Sequence, residues 1–209
     1  GSLGTSFAFG GMTFGPGGDL YMVAGRGNDS LYTVDTGDGS ASLVGRHGIN
    51  DMFALAWDTS TNTMYGTQFS GGSGLYTLNP ANGSATTINP GMASPIGGLT
   101  YNADTDQLVG SQDGAGDLWD IDRATGGQTL LYDGPFSNDS GLAYDPANNY
   151  YWGIDWSGNM FFYDIANGYA RTDVLTGLGS HDGLAWIPAP SALAAFGFAG
   201  IVAARRRRA

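Results

Sequence analysis

The chain contains no cysteine, no lysine and no glutamate. Without cysteine there are no disulfides, no thiolate catalysis and no Cys-based zinc sites. That absence fits an exported protein as well as a cytosolic one, so it decides no compartment. All 19 acidic residues are Asp and all 8 basic residues are Arg, and charged side chains make up only 13% of the chain against roughly 25% in ordinary globular domains. Glu and Lys are strong helix formers, whereas Gly, Asp and Asn favour turns. With 36 glycines in 209 residues, a helical bundle or an α/β fold with many surface helices is excluded. Aromatics at 12% supply enough apolar surface for a packed core and argue against disorder. The length allows one sizeable domain or two small ones.

Four of the eight arginines are Arg205, Arg206, Arg207 and Arg208, so the rest of the chain carries 4 positive against 19 negative charges, a net of −15. Such a body repels nucleic acid and anionic lipid headgroups, which require neutralising cations. No nucleic-acid partner is expected.

The sequence repeats. Gly11-Met12-Thr13-Phe14, Ala54-Leu55-Ala56-Trp57, Gly98-Leu99-Thr100-Tyr101, Gly141-Leu142-Ala143-Tyr144 and Gly183-Leu184-Ala185-Trp186 follow one another at steps of 43, 44, 43 and 42. A second landmark keeps the same beat: Leu31-Tyr32-Thr33-Val34-Asp35, Leu75-Tyr76-Thr77-Leu78-Asn79, Leu118-Trp119-Asp120-Ile121-Asp122 and, more loosely, Met160-Phe161-Phe162-Tyr163-Asp164. Each is followed by a glycine at fixed offset, Gly39, Gly83, Gly126 and Gly168. Each unit of about 43 residues reads as four short strands joined by Asp/Pro- and Asn-Gly-type turns. Recurrence of Asp35, Asn79, Asp122 and Asp164 at the period marks them as turn residues rather than ligands.

Four strands per 40–45 residues is the spacing of a β-propeller blade, and a lone blade cannot bury both faces, so blades must stack around an axis. The expected fold is all-β: propeller repeats over 1–187, with blades starting near 11, 54, 98 and 141 and a fifth opening strand at 183. Because only about ten residues precede Gly11, too few for the remaining strands of a fifth blade, the expectation is a piece of a propeller with five or more blades. Trp57-Asp58 and Tyr144-Asp145 lie at the ends of first strands, and the Gly-His partner of the Trp-Asp-repeat propellers is absent. The repeats instead resemble a loosely defined class of bacterial propellers with a Gly-Leu-Ala-Tyr-Asp opening, which implies fold and not activity.

After Trp186 the composition changes to Ile187-Pro188-Ala189-Pro190-Ser191, then 13 residues from Ala192 to Ala204 without a polar side chain, then four arginines. As a helix the apolar run would span about 20 Å, short of the roughly 30 Å of a bilayer core. An arginine cap beside it suits a segment whose Arg end is held in the cytoplasm. Residues 188–209 are therefore read as a C-terminal sorting signal with an apolar, transmembrane-like helix. This order of parts resembles the PEP-CTERM sorting signal of Gram-negative bacteria, with Pro188-Ala189-Pro190 standing where the family has Pro-Glu-Pro. The resemblance implies recognition of Pro188, Ala189 and Pro190 by an exosortase-type enzyme. It also implies a transient inner-membrane intermediate held by Arg205–Arg208, an N-terminal secretory signal peptide, and final residence at the cell surface or outside it. No such signal peptide stands in residues 1–10, a second pointer to truncation.

Candidate binding residues fall on loops that meet at one mouth of a propeller. The fourth-to-first-strand loops carry His47, Asp51, Asp139, His181 and Asp182, and the second-to-third-strand loops carry Gln68, Gln112, Asp155 and Trp156. A His–Asp pair there is either a general base or metal ligand, or simply a polar turn. Converging oxygens would suit Ca²⁺, although no EF-hand spacing occurs and no other cofactor is expected. Trp156 is either a sugar-stacking platform or a packing residue against a neighbouring blade. No Gly-x-Ser-x-Gly elbow accompanies the histidines. The reading is an exported propeller that binds or scaffolds extracellular polysaccharide or protein. The alternative is a secreted metal-dependent hydrolase or lactonase-like enzyme with its site in the funnel.

Overall fold

The computed structural model describes residues 3–5, 9–69, 73–179 and 183–187. Over the described residues the protein is all-β, with four antiparallel four-stranded sheets that form the blades of a β-propeller. Blade 1 comprises β1 (Met12–Phe14), β2 (Leu20–Val23), β3 (Ser30–Val34) and β4 (Ala41–Arg46); blade 2 comprises β5 (Met52–Asp58), β6 (Thr63–Gln68), β7 (Leu75–Leu78) and β8 (Ala85–Asn89). Blade 3 comprises β9 (Ile96–Asn102), β10 (Gln107–Gln112), β11 (Leu118–Ile121) and β12 (Gln128–Tyr132); blade 4 comprises β13 (Asp139–Asp145), β14 (Tyr150–Asp155), β15 (Met160–Asp164) and β16 (Ala170–Leu175). Within each blade the strands pair in sequence order.

The first strands pack on one another, β1 on β5, β5 on β9 and β9 on β13, which makes them the inner strands. The small residue before each repeated Leu is what permits this approach. A Cβ on Gly98 would lie 2.8 Å from the Leu142 amide nitrogen, and one on Gly141 2.8 Å from that of Leu184. Residues 183–187 form no assigned strand but lie between blades 4 and 1, where a Cβ on Gly183 would stand 2.8 Å from the Gly10 carbonyl oxygen. The opening segment of the fifth repeat therefore closes the inner ring, while four full blades surround it. The expected C-terminal helix falls outside the described residues, as do Pro188, Ala189, Pro190 and Arg205–Arg208. Among the described residues no helix is long and apolar enough to cross a membrane.

The core lies between blades. Tyr21, Val23 and Leu31 of blade 1 meet Leu55, Met64 and Leu78 of blade 2; Tyr65 and Leu75 meet Leu99, Leu108 and Ile121; Val109 and Leu118 meet Tyr144, Tyr151 and Tyr163. Turns are held by carboxylate and amide oxygens that accept from backbone N–H groups two or three residues on. Asp58 serves Ser60 and Thr61, Asn102 serves Asp104 and Thr105, and Asp145 serves Ala147 and Asn148. Asp35, Asn79, Asp122 and Asp164 do the same after the third strands, a turn chemistry that fixes the hairpins without any ligand.

Candidate functional site

The register places Met52 opposite Gln68, Ile96 opposite Gln112 and Asp139 opposite Asp155, so the two loop classes singled out in the sequence share one face of the propeller. Among the described residues that face carries an aromatic cluster. The stacked rings of Phe9, Phe53 and Trp156, with Phe9 and Trp156 centred 4.7 Å apart and Phe69 against Phe53 at 5.1 Å, bridge blades 2 and 4 and the entry to blade 1. Trp156 is half-buried and packs in this cluster.

The remaining mouth residues are engaged. Gln68 Oε1 accepts from the Tyr76 hydroxyl and Gln112 Oε1 from Trp119 Nε1, tying second strands to third strands. Asp155 accepts from both nitrogens of Asn159 and caps its own turn. Buried Asp51 lies 3.7 Å from Arg26 Nε. His47 is buried, its Nδ1 accepting from the Ile49 amide, and burial lowers its pKa. His181 and Asp182 lie outside the described residues. Among the described residues no three metal-ligating side chains are grouped to share an ion.

At the opposite end of the axis a cavity of about 240 Å³ is lined by the inner strands of the four blades and the segment 183–187, including Phe14, Trp57, Tyr101, Tyr144 and Trp186. Its lining holds no carboxylate or imidazole.

At the interface of blades 3 and 4 an ionisable group takes a position that is apolar core in blades 2 and 3. The repeat sets Asp139 in the position of Met52 and Ile96, both fully buried. Asp139 is likewise fully buried. The Tyr163 hydroxyl lies 3.2 Å from its Oδ2 and 3.1 Å from the Gly116 carbonyl oxygen, while its Oδ1 has no hydrogen-bond partner among the described residues. Burial pushes its carboxyl up to about 6, with neighbouring Ser137, Arg171 and Tyr163 pulling it back only in part. Arg171, 12% exposed, has its guanidinium 3.6 Å from the centre of the Phe161 ring, donates from Nε to Asp173 at 2.9 Å and stands 3.9 Å from Asp155. Above this set a cleft of about 680 Å³ opens between the outer strands, lined by Arg171, Asp173, Tyr132 and the loop 133–136. Sequence reasoning placed Asp139 and Asp155 at the funnel and missed Arg171, Asp173 and Phe136. The repeat itself carries the signal: a step of 43 residues sets Asp139, Arg171, Asp173 and Phe136 against Ile96, Gln128, Leu130 and Ala93.

These features define a β-propeller with a polar inter-blade cleft. No protein-family model matches the chain, and no curated protein matches it in sequence. Its fold is similar to that of a Bacteroides thetaiotaomicron structural-genomics protein of unknown function (13% identity, TM-score 0.70, covering 89% of this chain and 56% of that one). It is also similar to a chain of the nidogen/laminin complex (14%, 0.63, 85% and 68%) and to virginiamycin B lyase from Staphylococcus aureus (16%, 0.57, 84% and 59%). At these identities the likeness is one of fold. The chain spans 56% to 68% of the length of these three proteins.

Proposed function

We propose that this protein is an exported β-propeller that acts as a binding module outside the inner membrane, delivered by its C-terminal signal to the cell surface or the extracellular polymer. The observation that carries the binding role is the charged set at the blade 3–4 interface. A fold that repeats an apolar contact at two interfaces, through Met52 and Ile96, and replaces it with Asp139 at the third, with Arg171 where blade 3 has Gln128, has given up stability there, and such local departures mark functional positions. Binding is favoured over hydrolysis because no carboxylate lines the apolar axial cavity among the described residues, and the mouth carboxylates Asp155 and Asp51 serve a turn and an ion pair. The address rests on Pro188-Ala189-Pro190, the apolar run and Arg205–Arg208, and on the acidic body, which would be repelled by anionic headgroups once released.

Intact mass of the protein recovered from its native host, with cell fractionation, tests the address. A C-terminus near Pro190 in an outer or extracellular fraction is expected. An intact arginine tail in the cytosol would overturn it.

A further inference from the structure

We propose that the cleft between the outer strands of blades 3 and 4 binds a neutral pyranose unit of a polysaccharide, with Phe136 as its stacking platform; this rests on the binding role inferred above and names its ligand class.

Phe136 is 78% exposed, the most exposed large apolar side chain among the described residues. It does not dangle from a loose loop. The Gly134 amide donates to Asp117 Oδ1 at 3.0 Å, the Ser137 carbonyl accepts from the Gly114 amide at 3.0 Å, and the Asn138 carbonyl accepts from the Trp156 amide at 3.1 Å. Pro135 packs so closely on Gly116 that a Cβ there would meet its carbonyl oxygen at 2.2 Å. The backbone on both sides of Phe136 is thus fixed while the ring faces solvent, an arrangement that lowers the ordering cost of binding.

Asp173 and Arg171 line the same cleft as Phe136. The Arg171 Nε bond orients the Asp173 carboxylate, which is 59% exposed. A carboxylate able to accept from two hydroxyls and a flat apolar ring lining one cleft match a sugar, whose one face is C–H and whose edge is hydroxyl. Asp133 adds a second exposed carboxylate to the cleft. Two carboxylates against one guanidinium that is only 12% exposed and already bonded through Nε to Asp173 disfavour an anionic ligand, as does the chain's net charge of −11, and so the neutral class is favoured. Arg171 lies on the Phe161 ring with the carboxylates of Asp155 and buried Asp139 nearby. The unusual buried charges then have a purpose, which is to hold one exposed carboxylate in place.

Affinity electrophoresis of the full chain in native gels containing dextran, laminarin, xyloglucan, galactomannan or alginate tests the proposal. Retardation by at least one neutral polymer is expected. Phe136→Ala should weaken it about tenfold, Phe136→Tyr should retain it, and Asp173→Asn should weaken it, all with unchanged melting temperature. Retardation by alginate alone, no retardation by any polymer, or wild-type retardation of Phe136→Ala would overturn it. Because the purified chain is used, a failure here leaves the export reading standing, and a cytosolic location leaves this result standing.

Discussion

Two interfaces of the same propeller, built from the same repeat, solve the same packing problem differently. Between blades 2 and 3, Ile96 is fully buried, Met92 fills the space below the loop, and Gln128 seals the rim by accepting from the Ser94 amide at 2.8 Å and donating to its carbonyl at 3.1 Å. At the turn end Arg123 bridges the blades, pairing with buried Asp58 of blade 2 and with Asp106 of blade 3 at 2.9 Å. Between blades 3 and 4 the corresponding positions are Asp139, Pro135 and Arg171, and the rim stands open as the cleft. One interface is closed for stability. The other carries a buried carboxyl at a cost and keeps an exposed aromatic ring at its edge.

The largest effect should come from unlocking the closed interface. Arg123→Ala leaves Asp58 buried with only Ser60 and Thr61 as donors. Burial pushes that carboxyl up, but hydrogen bonds from Ser60, Thr61 and Arg123 outweigh it and hold it at about 2. Losing the guanidinium should cost about 3 kcal/mol in urea denaturation at pH 7, and the loss should shrink as Asp58 protonates below about pH 3. Next, Asp139→Asn should raise stability at pH 7 by about 2 kcal/mol, since a carboxyl whose folded value lies about two units above its unfolded one opposes folding once ionised. Gln128→Ala should cost about 1 kcal/mol in the same assay, the worth of a bonded side chain at a half-buried rim. Smallest of all, Phe136→Ala should change stability by less than about 0.5 kcal/mol, which separates its binding role from any packing role.

The blades were legible because strand-forming runs, turn residues and small residues recur at one period, and each has a local cause. Gly98 and Gly141 are small because neighbouring inner strands touch there, and Asp122 recurs because its carboxylate bonds the Ala124 and Thr125 amides. The site was less legible. Asp139 looked like one more mouth carboxylate, because residue type alone does not tell which way a bulged strand aims its first side chain; the register of β13 against β14 shifts between Asp139 and Gly141. Trp156 stood in a turn with no sign in the sequence that Phe9, more than a hundred residues earlier, would stack on it. Arg171 and Phe136 belong to no motif and are distinguished only by what their repeat counterparts are.

The most direct test of the contrast between the interfaces is the pH dependence of thermal unfolding for the wild type and Asp139→Asn, followed from pH 4 to pH 7.5. With its folded value at about 6 and its unfolded value near 3.9, Asp139 binds more proton in the folded state within that window. Stability should therefore fall as pH rises from about 4 through about 6 and stay lowered above it. The account predicts that the two proteins match near pH 4 and diverge steadily up to about pH 6, the variant being the more stable. Parallel curves, or a variant less stable at pH 7, would contradict it and return the blade 3–4 interface to an ordinary packed contact.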